Sequence, residues 1–286
     1  FCAIIVIFIN ISLISTVSKM LMLSERGVSS RMNKVKAVIL AGDSYKGEFG
    51  ADIGTDKNNK SFIEIGGKWI VEYVVDALRD SNKIDSISIV GPVDQLRERL
   101  KDKVDHFIQE DKDLFVNLQE GLSPFIDQDF VLVVTSDIPM INGKVVADFI
   151  ERCFDQPADL YYPIVDKRLN DKLYPGFTRT YVKLKEGTFT GGNILGLNPK
   201  IIKSCEGFAR AVIDNRKKPW ELGKLLGTKF LILLAMGKLS ISYLEQHFLQ
   251  LLGIKARAII SPYPELANDV DKPEDIKLAK YYLKED

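Results

Sequence analysis

A single α/β domain with a mostly parallel central sheet and helices on both faces is the fold this sequence predicts. Three observations carry that expectation. Short apolar runs rich in β-branched residues alternate with stretches of helical period. The strongest run, Phe130-Val131-Leu132-Val133-Val134, is apolar throughout, as a strand covered on both faces must be. A chain of 286 residues is also long enough to bury one large core.

The elements follow in order. Val35 to Leu40 reads as the first strand, Trp69 to Arg79 as a helix, Ser86 to Val90 as a strand and Val93 to Leu100 as a helix. His106 to Gln109, Leu114 to Leu122, Phe130 to Thr135 and Lys144 to Cys153 repeat the alternation, which specifies βαβ units. Lys60 to Lys68 is expected to be a short strand entering a tight turn. After the strand Asp159 to Val165, alternating Thr178, Thr180, Val182 and Leu184 within Tyr174 to Thr190 suggest an antiparallel hairpin, placed as a lid. From Pro199 to Leu252 the chain reads as a helical insertion, with helices at Ile201 to Ile213, Trp220 to Met236 and Ile241 to Leu252. The run Phe230 to Met236 is apolar all round but too short to span a bilayer, so a buried helix is expected, with dimerisation or a lipid-linked acceptor as the alternatives. A strand at Ala256 to Ile260 and a helix from Pro273 close the domain, the proline suiting a first helical turn.

Residues 1–31 stand apart. Phe1 to Leu23 is apolar but broken by Asn10, Ser12, Ser15, Thr16, Ser18 and Lys19, and it lacks both a basic start and a small-residue cleavage site. Met32 directly precedes the first strand, so translation upstream of the true initiator is the expected origin of residues 1–31, ahead of a membrane anchor.

Composition excludes several functions. Lys plus Arg and Asp plus Glu both number 39, so no global field draws nucleic acid, and a phosphate site must be built locally. Cys2, Cys153 and Cys205 have neither zinc-site nor disulfide-framework spacing, which suits the cytoplasm. With His106 and His247 the sole histidines, a histidine-rich metal site is ruled out.

The candidate chemistry lies where strands end. Leu40-Ala41-Gly42 opens a polar loop at the carboxyl edge of the first strand, where open α/β sheets bind nucleotides. Neither a Walker A nor a GxGxxG pattern occurs there. Lys60 can bring a point charge to phosphate oxygens. Asp137, directly after the most buried strand, can reach a hard cation through oxygen, or merely cap a turn. Asp269 and Asp271, one residue apart, point the same way in an extended segment and with Asp137 make a candidate metal set. Gly191-Gly192-Asn193 permits close backbone approach and offers an amide to a ligand, or forms a simple turn.

Taken in order, LAG (Leu40 to Gly42), Lys60 with IGGKWIVEYVVDAL, TSDIP (Thr135 to Pro139), GTFTGGN (Gly187 to Asn193) and DVDKPEDI (Asp269 to Ile276) resemble the molybdopterin guanylyltransferase-like NTP transferases. The resemblance implies a Rossmann-like nucleotidyltransferase fold, an NTP held by Leu40 to Gly42, and Lys60 near its phosphates. It further implies Mg²⁺ on Asp137 and Asp271, and a phosphorylated sugar, polyol or sugar-acid acceptor at Gly192 and Asn193. The family carries an arginine before its lysine; here Asp43-Ser44-Tyr45-Lys46 follows the LAG, and Lys46 or Lys57 is the cation that stands in its place. A glycosyltransferase using Asp269-Val270-Asp271 as a DxD motif and a non-catalytic nucleotide sensor are the alternatives.

Overall fold

The computed structural model describes residues 34–42, 59–215 and 227–283. Lys46, Lys57, the start of the expected helix at Trp220, and the whole of residues 1–31 lie outside them.

Strand β1 (Val35–Leu40) lies at the centre of the sheet. A 3-10 turn at Lys60–Phe62 leads into β2 (Glu64–Ile65) and β3 (Lys68–Trp69), a two-stranded hairpin of its own. The expectation of a strand from Lys60 is corrected here: the Asn59 side chain accepts from Ser61 N and winds the chain into the turn. Then follow α1 (Ile70–Asp80), β4 (Ile84–Gly91), α2 (Val93–Leu100), β5 (His106–Gln109), α3 (Leu114–Leu122), β6 (Val131–Thr135) and α4 (Gly143–Phe154). The second half runs β7 (Leu160–Asp166), α5 (Lys167–Leu173), β8 (Val182–Lys183), β9 (Thr188–Gly191), β10 (Ile194–Leu197), α6 (Ile201–Asn215), α7 (Thr228–Ala235), α8 (Ile241–Leu252), β11 (Ala256–Ser261) and α9 (Pro273–Tyr282).

Among the described residues nine strands form one sheet in the order β5-β4-β1-β6-β10-β7-β9-β8, with β11 on β7. Parallel pairing joins β5, β4, β1 and β6, and again β7 with β11; β10 runs antiparallel to both β6 and β7. The expected hairpin exists as β8 and β9, but it extends the sheet beside β7.

The apolar run in β6 explains the two layers. Leu132 and Val134 point to one face, packing with Val74, Leu78, Val145 and Phe149 of α1 and α4; Val131 and Val133 point to the other, packing with Phe115, Phe230, Leu244 and Phe248 of α3, α7 and α8. A smaller cluster joins Ile63, Ile65 and Ile70 to Val270, Ile276 and Ala279 of the C-terminal region. Helix α7 corrects the expectation of burial all round: Phe230 is fully buried, whereas Ile232 is 53% exposed and Met236 54%. One face of the helix meets the sheet layer and the opposite face meets solvent. Among the described residues no helix is long and apolar enough to cross a membrane.

Candidate active site

The site begins at the carboxyl ends of β1 and β6, adjacent parallel strands whose chains both turn out of the sheet at one edge. Ala41 continues the ladder by donating its N–H to Val90 O at 2.7 Å, and Ser136 N donates to Leu40 O at 3.2 Å. The Ala41 carbonyl is then gripped twice, by Asn59 Nδ2 at 2.8 Å and Ser61 Oγ at 3.2 Å, and the Ser61 and Ser136 hydroxyls share a 2.7 Å hydrogen bond. These bonds fix the 3-10 turn carrying Lys60 against the strand ends. Gly42 follows where Glu110 closes in: a Cβ there would stand 2.5 Å from Glu110 Oε2.

Lys60 is only 7% exposed, and its ammonium lies 3.0 Å from Asp137 Oδ2 and 2.7 Å from Asp271 Oδ1. Burial alone would lower its pKa, but the two carboxylates overcome that and hold it well above the usual lysine range. Asp271 feels the converse. Burial would raise it, yet the charge and hydrogen bond of Lys60 leave its carboxyl below the usual range. Asp269 is pushed up by burial and by the nearby charge of Asp137, while Arg179 pulls it back.

The two aspartates of the DVD segment owe their places to Val270. Its side chain is fully buried, and its N–H donates to Asp137 O at 2.8 Å, so the segment is stitched to the end of β6 with Asp269 and Asp271 on the same side. Asp275 accepts from both Asp271 N and Lys272 N at 3.0 Å and fastens the start of α9 behind them. One carboxylate oxygen from each of Asp137, Asp269 and Asp271 can be chosen so that all lie within 4.8 Å of one another.

Two further groups converge on Asp269. Asn193 donates from Nδ2 to Asp269 Oδ1 at 3.3 Å and to Leu266 O at 3.2 Å, and its backbone N–H donates to Leu266 O at 2.7 Å. The bulge Gly192-Asn193 between β9 and β10 makes this reach, and Gly192 packs so closely that a Cβ would lie 2.8 Å from Pro163 Cγ. Gly191, Gly192 and Asn193 are all buried. Arg179, 4% exposed, binds both the carboxylate and the carbonyl of Asp269 and lies over the Phe177 ring, 5.3 Å from its centroid. Sequence reasoning passed over Arg179 entirely. It lies in an irregular stretch before β8, 90 residues from its partner, and its one visible signal is a basic residue between two threonines of the expected hairpin.

The structure therefore brings together Lys60, Asp137, Asp269, Asp271 and Asn193, with Ala41 and Gly42 tied to the same edge and Leu40 bonded to Ser136. Magnesium prefers carboxylate and other oxygen ligands. The three aspartates supply that donor set, and Asp137 Oδ1 is buried with no hydrogen-bond partner, an acceptor left for a cation.

A model of the MobA-like NTP transferase domain matches residues 27–194 of the chain. The chain belongs to this family. Over 85% of its length this MobA-like NTP transferase is 32% identical to a hypothetical transferase from Thermus thermophilus, covering 99% of that structure with a TM-score of 0.76. It is also 32% identical over 127 residues to the 2-C-methyl-D-erythritol 4-phosphate cytidylyltransferase of Clostridium perfringens. That alignment takes in 42% of the chain and 54% of the relative, so the chain spans about half the length of the curated relatives it matches. The CMP:2-keto-3-deoxy-manno-octonic acid synthetase complexed with CTP shares the fold at 13% identity and a TM-score of 0.55. The resemblance drawn from the five sequence motifs thus holds at the level of family and fold. Residues 269–271 lie beyond the segment that the family model matches, and here geometry alone joins them to Asp137.

Proposed function

We propose that this MobA-like NTP transferase joins a nucleoside monophosphate from an NTP to a phosphorylated small molecule, releasing pyrophosphate. The observation that carries the reading is the convergence of Lys60, Asp137, Asp269 and Asp271 at the carboxyl edge of the sheet, beside the turn at Ala41 and Gly42.

In this reading the backbone at Leu40 to Gly42 receives the nucleotide, and Lys60 offers its ammonium to the triphosphate. Asp137, Asp269 and Asp271 hold Mg²⁺, which when bound neutralises phosphate charge. A phosphate oxygen of the acceptor attacks the α-phosphorus, and pyrophosphate leaves from the opposite side. That oxygen is already ionised at neutral pH, so no residue need remove a proton, which fits a site without histidine. What the protein contributes is positioning and charge held in place beforehand. Gly191, Gly192 and Asn193 belong to the acceptor side, where Asn193 works through Asp269. The balance of 39 basic and 39 acidic residues agrees with small, locally recognised substrates, and the reaction suits the cytoplasm.

The test is pyrophosphate release with Mg²⁺, each of the four NTPs and a panel of polyol, sugar and sugar-acid phosphates. CTP and polyol phosphates come first because of the cytidylyltransferase likeness. Release that requires one NTP and one acceptor is expected. Release of a nucleoside diphosphate from a nucleotide sugar, with no pyrophosphate from any NTP, would overturn the reading in favour of glycosyl transfer.

A further inference from the structure

Among the described residues two cations stand among the three carboxylates, and they are held differently. Arg179 is buried, and its planar fork is committed to one residue, taking the carboxylate and the carbonyl of Asp269 together. Lys60 reaches the cluster on a flexible four-carbon stem, and its ammonium bridges Asp137 and Asp271, two of the three oxygen donors available to a metal. Asp271 is 50% exposed, so the bridge opens directly to solvent and to an incoming ligand.

A divalent cation entering between Asp137 and Asp271 meets the charge of Lys60 on the same two carboxylates, at a distance where like charges repel strongly in a partly buried site. The ammonium must be drawn off before both carboxylates are free. A polyphosphate provides that pull, because its oxygens take over the lysine while bringing their own charge to the metal. Arg179 offers no such exchange.

Resting on the nucleotidyl-transfer reading, we propose that Lys60 is the resident counter-cation of the acidic cluster and makes metal binding contingent on the nucleotide. In the free protein it neutralises Asp137 and Asp271; in the loaded protein it has moved to phosphate, and metal and nucleotide enter as a unit. Linkage makes the dependence mutual, since whatever factor the polyphosphate adds to metal affinity the metal adds to polyphosphate affinity.

The experiment is a titration of the nucleotide-free protein with Mn²⁺ alone, read from the disappearance of the free-ion electron paramagnetic resonance signal. K60M is expected to bind Mn²⁺ at least about tenfold more tightly than wild type, inside the roughly 5–150-fold range of ordinary coupling. K272M removes an exposed lysine next to Asp271 and controls for charge in general; screening by salt should keep it within about threefold of wild type. Wild type should also prefer the Mn²⁺–tripolyphosphate complex to bare Mn²⁺, and K60M should lose that preference. A K60M protein that binds Mn²⁺ no better than wild type overturns the proposal, as does a K272M gain as large as that of K60M. If K60M does not fold, K60Q, which keeps a donor without the charge, carries the same comparison. The titration needs no turnover, so a chain that transfers nucleotides yet shows no gain in K60M keeps the proposed reaction and loses this inference.

Discussion

In the proposed reaction Asp137 is the residue on which the chemistry turns, because it touches Lys60, belongs to the candidate metal set and anchors Val270 through its own carbonyl. The backbone bond survives a change of side chain. Asp137→Asn should therefore fold normally and lose at least about 100-fold in pyrophosphate release, the scale of removing one preorganised charge from a site. Arg179→Lys keeps the charge but replaces a fork with one ammonium, which cannot serve the carboxylate and carbonyl of Asp269 as the guanidinium does. About a tenfold loss in kcat/KM is expected from steady-state kinetics, with Arg179→Met worse and less stable by about 3–5 kcal/mol, the cost of leaving a buried charge unpaired. The Lys60–Asp271 pair sets an acid limb. Because Asp271 titrates lower in the folded chain than in the unfolded one, its contribution is present above the ordinary carboxylate range and drains away as pH falls below it. Denaturant melts between about pH 4 and about 2 should show this loss, and K60M should flatten it, because the charge and hydrogen bond of the ammonium are the main influences that hold the Asp271 carboxyl down. Asp137, Asp269 and Asp271 were legible in the sequence because each stands after a strand or in a spacing with chemical meaning, and Lys60, which lies in a 3-10 turn, was legible through its place among the five family motifs. Arg179 was not, since a lysine or arginine in an irregular stretch looks the same whether it faces water or a buried carboxylate.

The bulge between β9 and β10 is the element that aims Asn193, and its glycine leaves no room for a side chain. A methyl group on Gly192 would press on Pro163 Cγ and the Leu266 carbonyl, both part of the frame that holds Asp269. Gly192→Ala should cost about 1–3 kcal/mol in a thermal melt, the usual penalty of overpacking. It should also lower kcat, since the shift is passed to Asp269 through Asn193. The elements themselves were legible to different degrees. Val93–Leu100, His106–Gln109, Leu114–Leu122 and Ile241–Leu252 have the expected bounds, because each carries its period cleanly between breakers. Helix α5 went unseen: Lys167–Leu173 is seven residues long and mostly polar, with no apolar stripe, and it is started instead by the Asp166 cap, which accepts from Arg168 N and Leu169 N. Thr178 and Thr180 promised strand but stay outside the ladder, and of that alternating segment only Val182–Lys183 pairs with β9.

At the scale of the molecule, the helical region after β10 is fastened to the sheet through a few large side chains. Phe230, fully buried among the layer that includes Phe248 and Leu244, holds a helix whose far face is in water. Phe230→Ala should lower stability by about 3–5 kcal/mol, measured by denaturant unfolding. Alternation of strand and helix made the architecture readable from sequence, because period and run length are local properties. The antiparallel β10 wedged between β6 and β7 was not readable, because pairing partners are chosen across the fold. Its consequence reaches into how the protein is made. Lys60 and Asp137 leave the ribosome early, but Asp269, Val270 and Asp271 emerge more than a hundred residues after Asp137, and their clasp on β6 is among the most distant contacts in the chain. A product cut short before Asp269 can pair β1, β4 and β6 and still has no triad to offer a cation. In the proposed reaction, metal capture would therefore report that synthesis has run past Asp271, and a copy cut short before Asp269 would lack two of the three carboxylates that hold the ion.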